Sequence, residues 1–160
     1  IPAGGARIPL SDETAREVTD AEGNTRSQQH FYMNGAAVFH FAITVVPSTV
    51  QALLDKLSLS ISDVDLFLVH QANKYMPDYL IKKLKLPMEK SHFYLEDIGN
   101  CSGSALPIVL TDAWRLGKIR EGTLVLMIGF GVGLSWAATV VRWPTNSLGV
   151  VPGRPEEGTT

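Results

Sequence analysis

Two residues stand where a folded chain could use them as hydrogen-bond donors. His70 directly follows the apolar run Val64–Val69, and Asn100 follows Gly99 at the head of the small-residue run Gly99-Asn100-Cys101-Ser102-Gly103-Ser104. A neutral imidazole and a carboxamide each offer an N–H. Phe130-Gly131-Val132-Gly133 is a glycine-bearing loop whose backbone can approach a ligand closely. Each feature also has a plainer reading. A histidine after a strand can be a hydrogen-bonded structural residue, Asn after Gly suits a left-handed turn, and Gly131 with Gly133 fits a tight hairpin. Cys101, the single cysteine, reads as a small packed residue, and it excludes an intrachain disulfide or a multi-cysteine zinc site. His30, His40 and His92 share no metal-ligand spacing, so no metal site is expected. Lys82, Lys83 and Lys85 form either a solvated helix face or a basic docking face. Trp114, Trp136 and Trp143 read as core or interface aromatics.

The elements that must position these residues follow from periodicity. Residues 1–34 mix Gly, Pro, Ser, Thr and acidic side chains without a sustained period, and an extended surface arm is expected. From Gly35 onward Val38, Phe39, Phe41, Ala42, Val45 and Val46 recur at helical spacing; Pro47 interrupts them before Val50, Leu53, Leu54 and Leu57, which predicts two helices or one kinked helix. Ser60–Asp63 is turn chemistry and Val64–Val69 a buried strand. A helix is expected to start between Asn73 and Pro77, carry Leu80, Ile81 and Leu84 inward, and end at Pro87. His92–Leu95 reads as a short strand, and a helix with Pro107 in its first turn ends at Gly117. Thr123–Gly129 and Leu134–Arg142 read as a hairpin, and residues 144–160 as a disordered tail. The alternation gives an α/β fold, a mixed β-sheet layered with helices, in which polar residues past strand C-termini line the ligand crevice. His70, Asn100 and the Gly131/Gly133 loop are expected to converge there.

Composition narrows the function classes. The 160 residues are 45% apolar and 19% charged, with a net charge of −2. Such a chain supports one sizeable core, and residues 35–143 are its expected domain. No sequence-wide basic field exists to hold a nucleic-acid backbone. Apolar runs such as Leu124–Phe130 are too short to cross a bilayer, so a soluble, cytoplasmic chain without nucleic-acid or membrane partners is expected. The first residue is Ile1 rather than Met, and the expectation is a piece of a longer polypeptide.

Three strings occur in order: Asp65-Leu66-Phe67-Leu68-Val69-His70-Gln71-Ala72-Asn73, Gly99-Asn100-Cys101-Ser102, and Gly129-Phe130-Gly131-Val132-Gly133-Leu134-Ser135-Trp136. Together they resemble the C-terminal half of β-ketoacyl-ACP synthase III, the thiolase-fold condensing enzymes that start fatty-acid chains. Met33-Asn34-Gly35 before Val38-Phe39 is similar to that family's helix start, so the resemblance runs from Ile1 to Trp143.

The resemblance implies one half of a thiolase-like fold and a decarboxylative Claisen condensation of an acyl primer, as acyl-CoA, with malonyl-ACP. No cofactor is implied beyond these substrates. His70 and Asn100 would be two members of a Cys-His-Asn set whose cysteine lies in a missing N-terminal half, so the isolated chain is expected to be inactive. Cys101 stands where many relatives carry Thr. Phe130, Gly131, Val132 and Gly133 would form the oxyanion loop, Asn73 and Gly35 would face CoA or its pantetheine, and Lys82 and Lys83 would dock the acyl carrier protein. Tyr75 and His40 occupy positions where some relatives carry basic residues. A homodimer is the implied assembly. Two further readings belong to the same fold: a specialised acyltransferase or condensing enzyme of polyketide or secondary-metabolite biosynthesis, and a non-catalytic partner subunit.

Overall fold

Short polar contacts organise the beginning of the chain. The computed structural model describes residues 1–131 and 133–144; Val132 and residues 145–160, most of the expected tail, lie outside the described residues. Ile1–Val38 form one compact unit and the residues from Phe39 onward another. Helix α1 (Asp12–Ala15) is closed by a capping box in which the Thr14 N–H donates to Ser11 Oγ and the Ser11 N–H to Thr14 Oγ1. Strands β1 (Val18–Thr19) and β2 (Thr25–Arg26) pair antiparallel. Their turn is drawn in by Asp20 Oδ1, which accepts the N–H groups of Glu22 and Asn24. The expected extended arm is thus replaced by local structure, because Ser11 and Asp20 satisfy backbone donors that the apolar pattern could not reveal.

Helix α2 (Gly35–Leu57) is a single helix containing Pro47. Its start is capped by Asn34, whose Oδ1 accepts the Ala37 N–H at 2.9 Å. By length and composition it could cross a membrane, which corrects the expectation that every apolar run is too short. Its stripe of Ala42, Val46, Val50 and Leu54 is instead packed in the protein core.

After a 3₁₀ turn at Ile61–Asp63, strand β3 (Leu66–Val69) runs parallel to β4 (Leu124–Gly131), and β4 pairs antiparallel with β5 (Ser135–Arg142). The order β3-β4-β5 makes the mixed sheet that the sequence predicts. Between β3 and β4 the chain forms α3 (Tyr75–Lys83), α4 (Leu95–Ile98) and α5 (Ala105–Arg115). Alternate strand residues feed two cores. Phe67, Val69, Leu126 and Ile128 pack with α2 and with Leu80 and Ile81 of α3. Leu66, Leu68 and Val125 pack with Val109 and Ala113 of α5. The sheet is therefore layered by helices on both faces, which explains why the β4 sequence is nearly continuous in apolar residues.

Two boundaries differ from expectation. Helix α3 ends before Pro87, on Lys85 in a left-handed conformation (φ 56°) with the Leu86 N–H donating to Ile81 O. The strand expected at His92–Leu95 is absent: the residue before it, Ser91, makes an isolated parallel bridge to Phe67, and Leu95 already opens α4. A buried side chain replaces the missing strand partner. Gln71 Nε2 donates to His92 O at 3.3 Å, and the Tyr94 N–H donates to Gln71 Oε1 at 3.1 Å.

Candidate active site

The parallel pair brings the first and third sequence strings to one sheet end. His70 leaves β3 with its N–H donating to Ile128 O at 2.9 Å, which sets it beside Gly129 near the C-terminal end of β4. Its ring meets Phe130 edge-on, with centroids 5.3 Å apart. Burial holds the His70 imidazole below its ordinary value, so the neutral form, with one ring N–H to donate, is favoured at neutral pH.

Asn100 follows a sharp backbone turn. Gly99 closes α4 with φ 63° and ψ −158°, a conformation that glycine alone adopts readily. The Ser102 N–H donates to Asn100 Oδ1 at 2.9 Å, so the acceptor end of the amide is occupied by its own loop and the Nδ2 group is the end offered outward. The chain then turns through Ser102–Ser104 into α5, where Leu106 lies against Gly129: a Cβ on that glycine would stand 3.3 Å from Leu106 Cδ1. The loop of Asn100 thus precedes the helix turn that packs on the strand residue next to His70. Cys101, beside it, is half-buried, with its thiol donating to Ile98 O at 3.2 Å.

The glycine loop divides into two kinds of glycine. Gly133 has φ 144°, and a Cβ there would collide with Ser135, so the hairpin itself demands glycine. Gly131 pairs with Ser135 at the sheet end, has no positive φ, and a Cβ on it would meet nothing of this chain within 4 Å. Its small size is not needed by the hairpin. Phe130 is buried in the core with α2 and α3, and Val132 lies outside the described residues.

The remaining sequence candidates have local partners. Asn73 caps α3, its Oδ1 accepting the Met76 N–H at 2.9 Å. It also lines a cavity of about 320 Å³ with Lys74, Pro77, Asp78 and the segment 93–97, beside an exposed Lys74–Glu96 ion pair. Gly35 is the exposed first residue of α2. Lys83 turns to α2 and donates from Nζ to Ile43 O at 2.7 Å. Ile43 is the residue whose carbonyl would have received an N–H from position 47, so the lysine satisfies an acceptor that Pro47 leaves without its helix bond. Lys82 stays exposed on α3.

Sequence reasoning passed over four residues here. Gln71 was visible only as part of a string, and His92, Asp112 and Lys118 are distant in sequence yet bonded in a row in the structure. No local spacing could signal them.

Comparison with known proteins matches residues 54–143 to the family described as 3-oxoacyl-[acyl-carrier-protein (ACP)] synthase III C terminal. A β-ketoacyl-[acyl-carrier-protein] synthase III from Symbiobacterium thermophilum is 39% identical over 142 residues, covering 89% of this chain and 40% of its own. A crystal structure of a 3-oxoacyl-(acyl-carrier-protein) synthase III superposes with a TM-score of 0.84 at 40% identity, over 89% of this chain and 42% of that one. The priming β-ketosynthase from the R1128 polyketide biosynthetic pathway superposes with a TM-score of 0.67 at 33% identity, over 71% and 34% of the two chains. The chain spans about 40% of the length of the curated relatives it matches. Its α/β architecture, a mixed sheet layered with helices, is one half of a thiolase-like fold. The chain belongs to the 3-oxoacyl-[acyl-carrier-protein] synthase III C-terminal family.

Proposed function

We propose that this chain is the C-terminal catalytic half of a β-ketoacyl-ACP synthase III-like enzyme, which condenses an acyl primer with malonyl-ACP in fatty-acid chain initiation. The observation that carries this reading is the placement of a half-buried, neutral-favouring His70 against Phe130 at the end of the parallel strands. Asn100, with its Oδ1 already engaged by Ser102, supplies the second donor.

The chemistry asks for donors of this type. The Cα–CO₂ bond of the malonyl thioester breaks, CO₂ leaves, and the electron pair moves onto the thioester oxygen as an enolate. Two neutral donors aimed at that oxygen stabilise it. They favour the enolate over the ground state, whereas a cation at the site would also bind the substrate carboxylate. The enolate carbon then attacks the acyl group held as a thioester on a cysteine, and the tetrahedral oxyanion is met by backbone N–H groups of the Phe130–Gly133 loop. Collapse expels the cysteine thiolate and leaves the new carbon–carbon bond. That Gly131 is not required by its hairpin supports a use for the free space above it.

The nucleophilic cysteine is supplied by a segment ahead of this one, and the chain alone is inert. Asn73 is assigned to the pantetheine arm, Lys82 contributes to carrier-protein docking, and Lys83 does so only if it releases Ile43. The working enzyme is a cytoplasmic homodimer. A second reading, priming of a polyketide chain by the same donors, is favoured by the 33% identity to the R1128 priming β-ketosynthase.

The test is a half-reaction assay on the enzyme completed with the segment that relatives carry ahead of this one. Labelled malonyl-ACP should lose CO₂ in a His70- and Asn100-dependent manner. Decarboxylation that persists in the double Ala variant would exclude the reading.

A further inference from the structure

The donor pair leaves one buried titratable group without a task. His92 is 6% exposed, and its ring is held at both nitrogens: Nε2 lies 2.8 Å from Asp112 Oδ2, and Nδ1 lies 3.0 Å from Lys118 Nζ. The partners fix its state. An ammonium only donates, so Nδ1 accepts from Lys118, and Nε2 carries the ring proton and donates to the Asp112 carboxylate. Asp112 belongs to the last turns of α5, and Lys118 follows Gly117 just beyond its end.

The backbone of the same segment is tied to the neighbour of His70. Gln71, 1% exposed, donates to His92 O and accepts from the Tyr94 N–H, so one carboxamide makes the two bonds that an adjacent strand would make. The Asn100 loop is therefore closed at its base. It departs from His92 and returns through α5, whose Asp112 holds that same histidine, while Leu106 at the start of α5 rests on Gly129.

We propose that Gln71, His92, Asp112 and Lys118 form a polar clamp of positioning residues that fixes the base of the Asn100 loop against the strand end carrying His70. The clamp sets the relation between the two donors. An apolar side chain could fill position 92 without desolvating an ion pair, and would often be as stabilising or more so. A fully partnered polar array, by contrast, specifies one geometry, since each member has a direction as well as a place. All four act through the loop and the strand end, as positioning residues. The inference rests on the reading of His70 and Asn100 as enolate donors.

The test uses Gln71→Met, His92→Phe and His92→Gln, with Asn100→Ala in parallel. On the chain itself, ¹⁵N imidazole resonances should report His92 as the neutral Nε2–H tautomer at neutral pH. Amide exchange over residues 93–104 should accelerate about tenfold in Gln71→Met and His92→Phe. In the completed enzyme these two variants should lower kcat for malonyl decarboxylation about tenfold or more, with KM for the malonyl thioester and the rate of cysteine acylation unchanged. His92→Gln can accept from Lys118 and donate to Asp112, and should restore most of the lost rate. Should His92→Phe not fold, Gln71→Met and His92→Gln carry the comparison. The clamp is overturned if Asn100→Ala is impaired while Gln71→Met keeps wild-type kcat, or if acylation and decarboxylation fall together. Wild-type decarboxylation by Asn100→Ala would instead overturn the donor pair.

Discussion

At residue scale the proposed donors His70 and Asn100 each have a local cause that favours donation. Burial disfavours the imidazolium, and the Asn100 amide is oriented by the Ser102 N–H. On the proposed function, Asn100→Ala in the completed enzyme removes one donor to the enolate and should slow malonyl decarboxylation by about 10²–10³-fold, while burst acylation of the cysteine stays near wild type. Separate assays with labelled malonyl-ACP and labelled acyl-CoA read the two steps. Equal loss in both would indicate collapse of the loop. A second expectation concerns pH. His70 and His92 are both held below the ordinary histidine value of 6.5, desolvation being the largest cause in each. The unfolded chain therefore binds protons before the folded one does. Stability should be level above about pH 6.5 and fall as pH drops below it, until the folded-state values are passed. Chemical denaturation across pH 5–8, roughly the range in which histidine titrates, measures this. His92→Gln should flatten the fall, and an unchanged slope would show that His92 does not contribute.

At the scale of elements, the helix around Pro47 and the sheet end around Gly129 show how one residue commits two segments. Pro47 withholds an N–H from α2, and Lys83 of α3 supplies one to Ile43 O. Lys83→Met should cost about 0.5–1.5 kcal/mol in thermal or urea unfolding. A loss of stability without a rise in KM for the carrier protein would assign Lys83 to the helix pair rather than to docking. Gly129 is one contact between β4 and α5, where an added Cβ would stand 3.3 Å from Leu106 Cδ1. Gly129→Leu should overpack this junction and cost about 1–3 kcal/mol. It should also depress decarboxylation beyond the stability loss, because the displaced turn leads directly from Asn100. Most of these elements were legible. Periodicity placed α2, α3, α5 and the β4–β5 hairpin, since each buries a continuous stripe or face. The 92–95 segment was misread as a strand because its apolar pattern is real, whereas its backbone partner is the Gln71 side chain.

At the scale of the molecule, β5 is an edge of the described sheet, and Leu134 just before it and Trp136 within it are 49% and 48% exposed. An unpaired edge flanked by apolar side chains invites another chain. The isolated chain should self-associate in sedimentation at micromolar concentration, and Trp136→Lys should shift it toward monomer; a strictly monomeric wild type would refute this. The sequence by itself determined the α/β class, the helix stripes, and the identity of the candidate donors. It could do so because burial patterns are periodic along the chain and the motif strings are contiguous. Only the tertiary structure decided that His70 sits beside Gly129, that Leu106 at the start of α5 rests on that glycine, and that the Gln71 side chain bonds the backbone of His92 and Tyr94. These are pairings between residues far apart in the chain. Parallel strand register and side-chain hydrogen bonds set them, and neither leaves a periodic trace in the sequence.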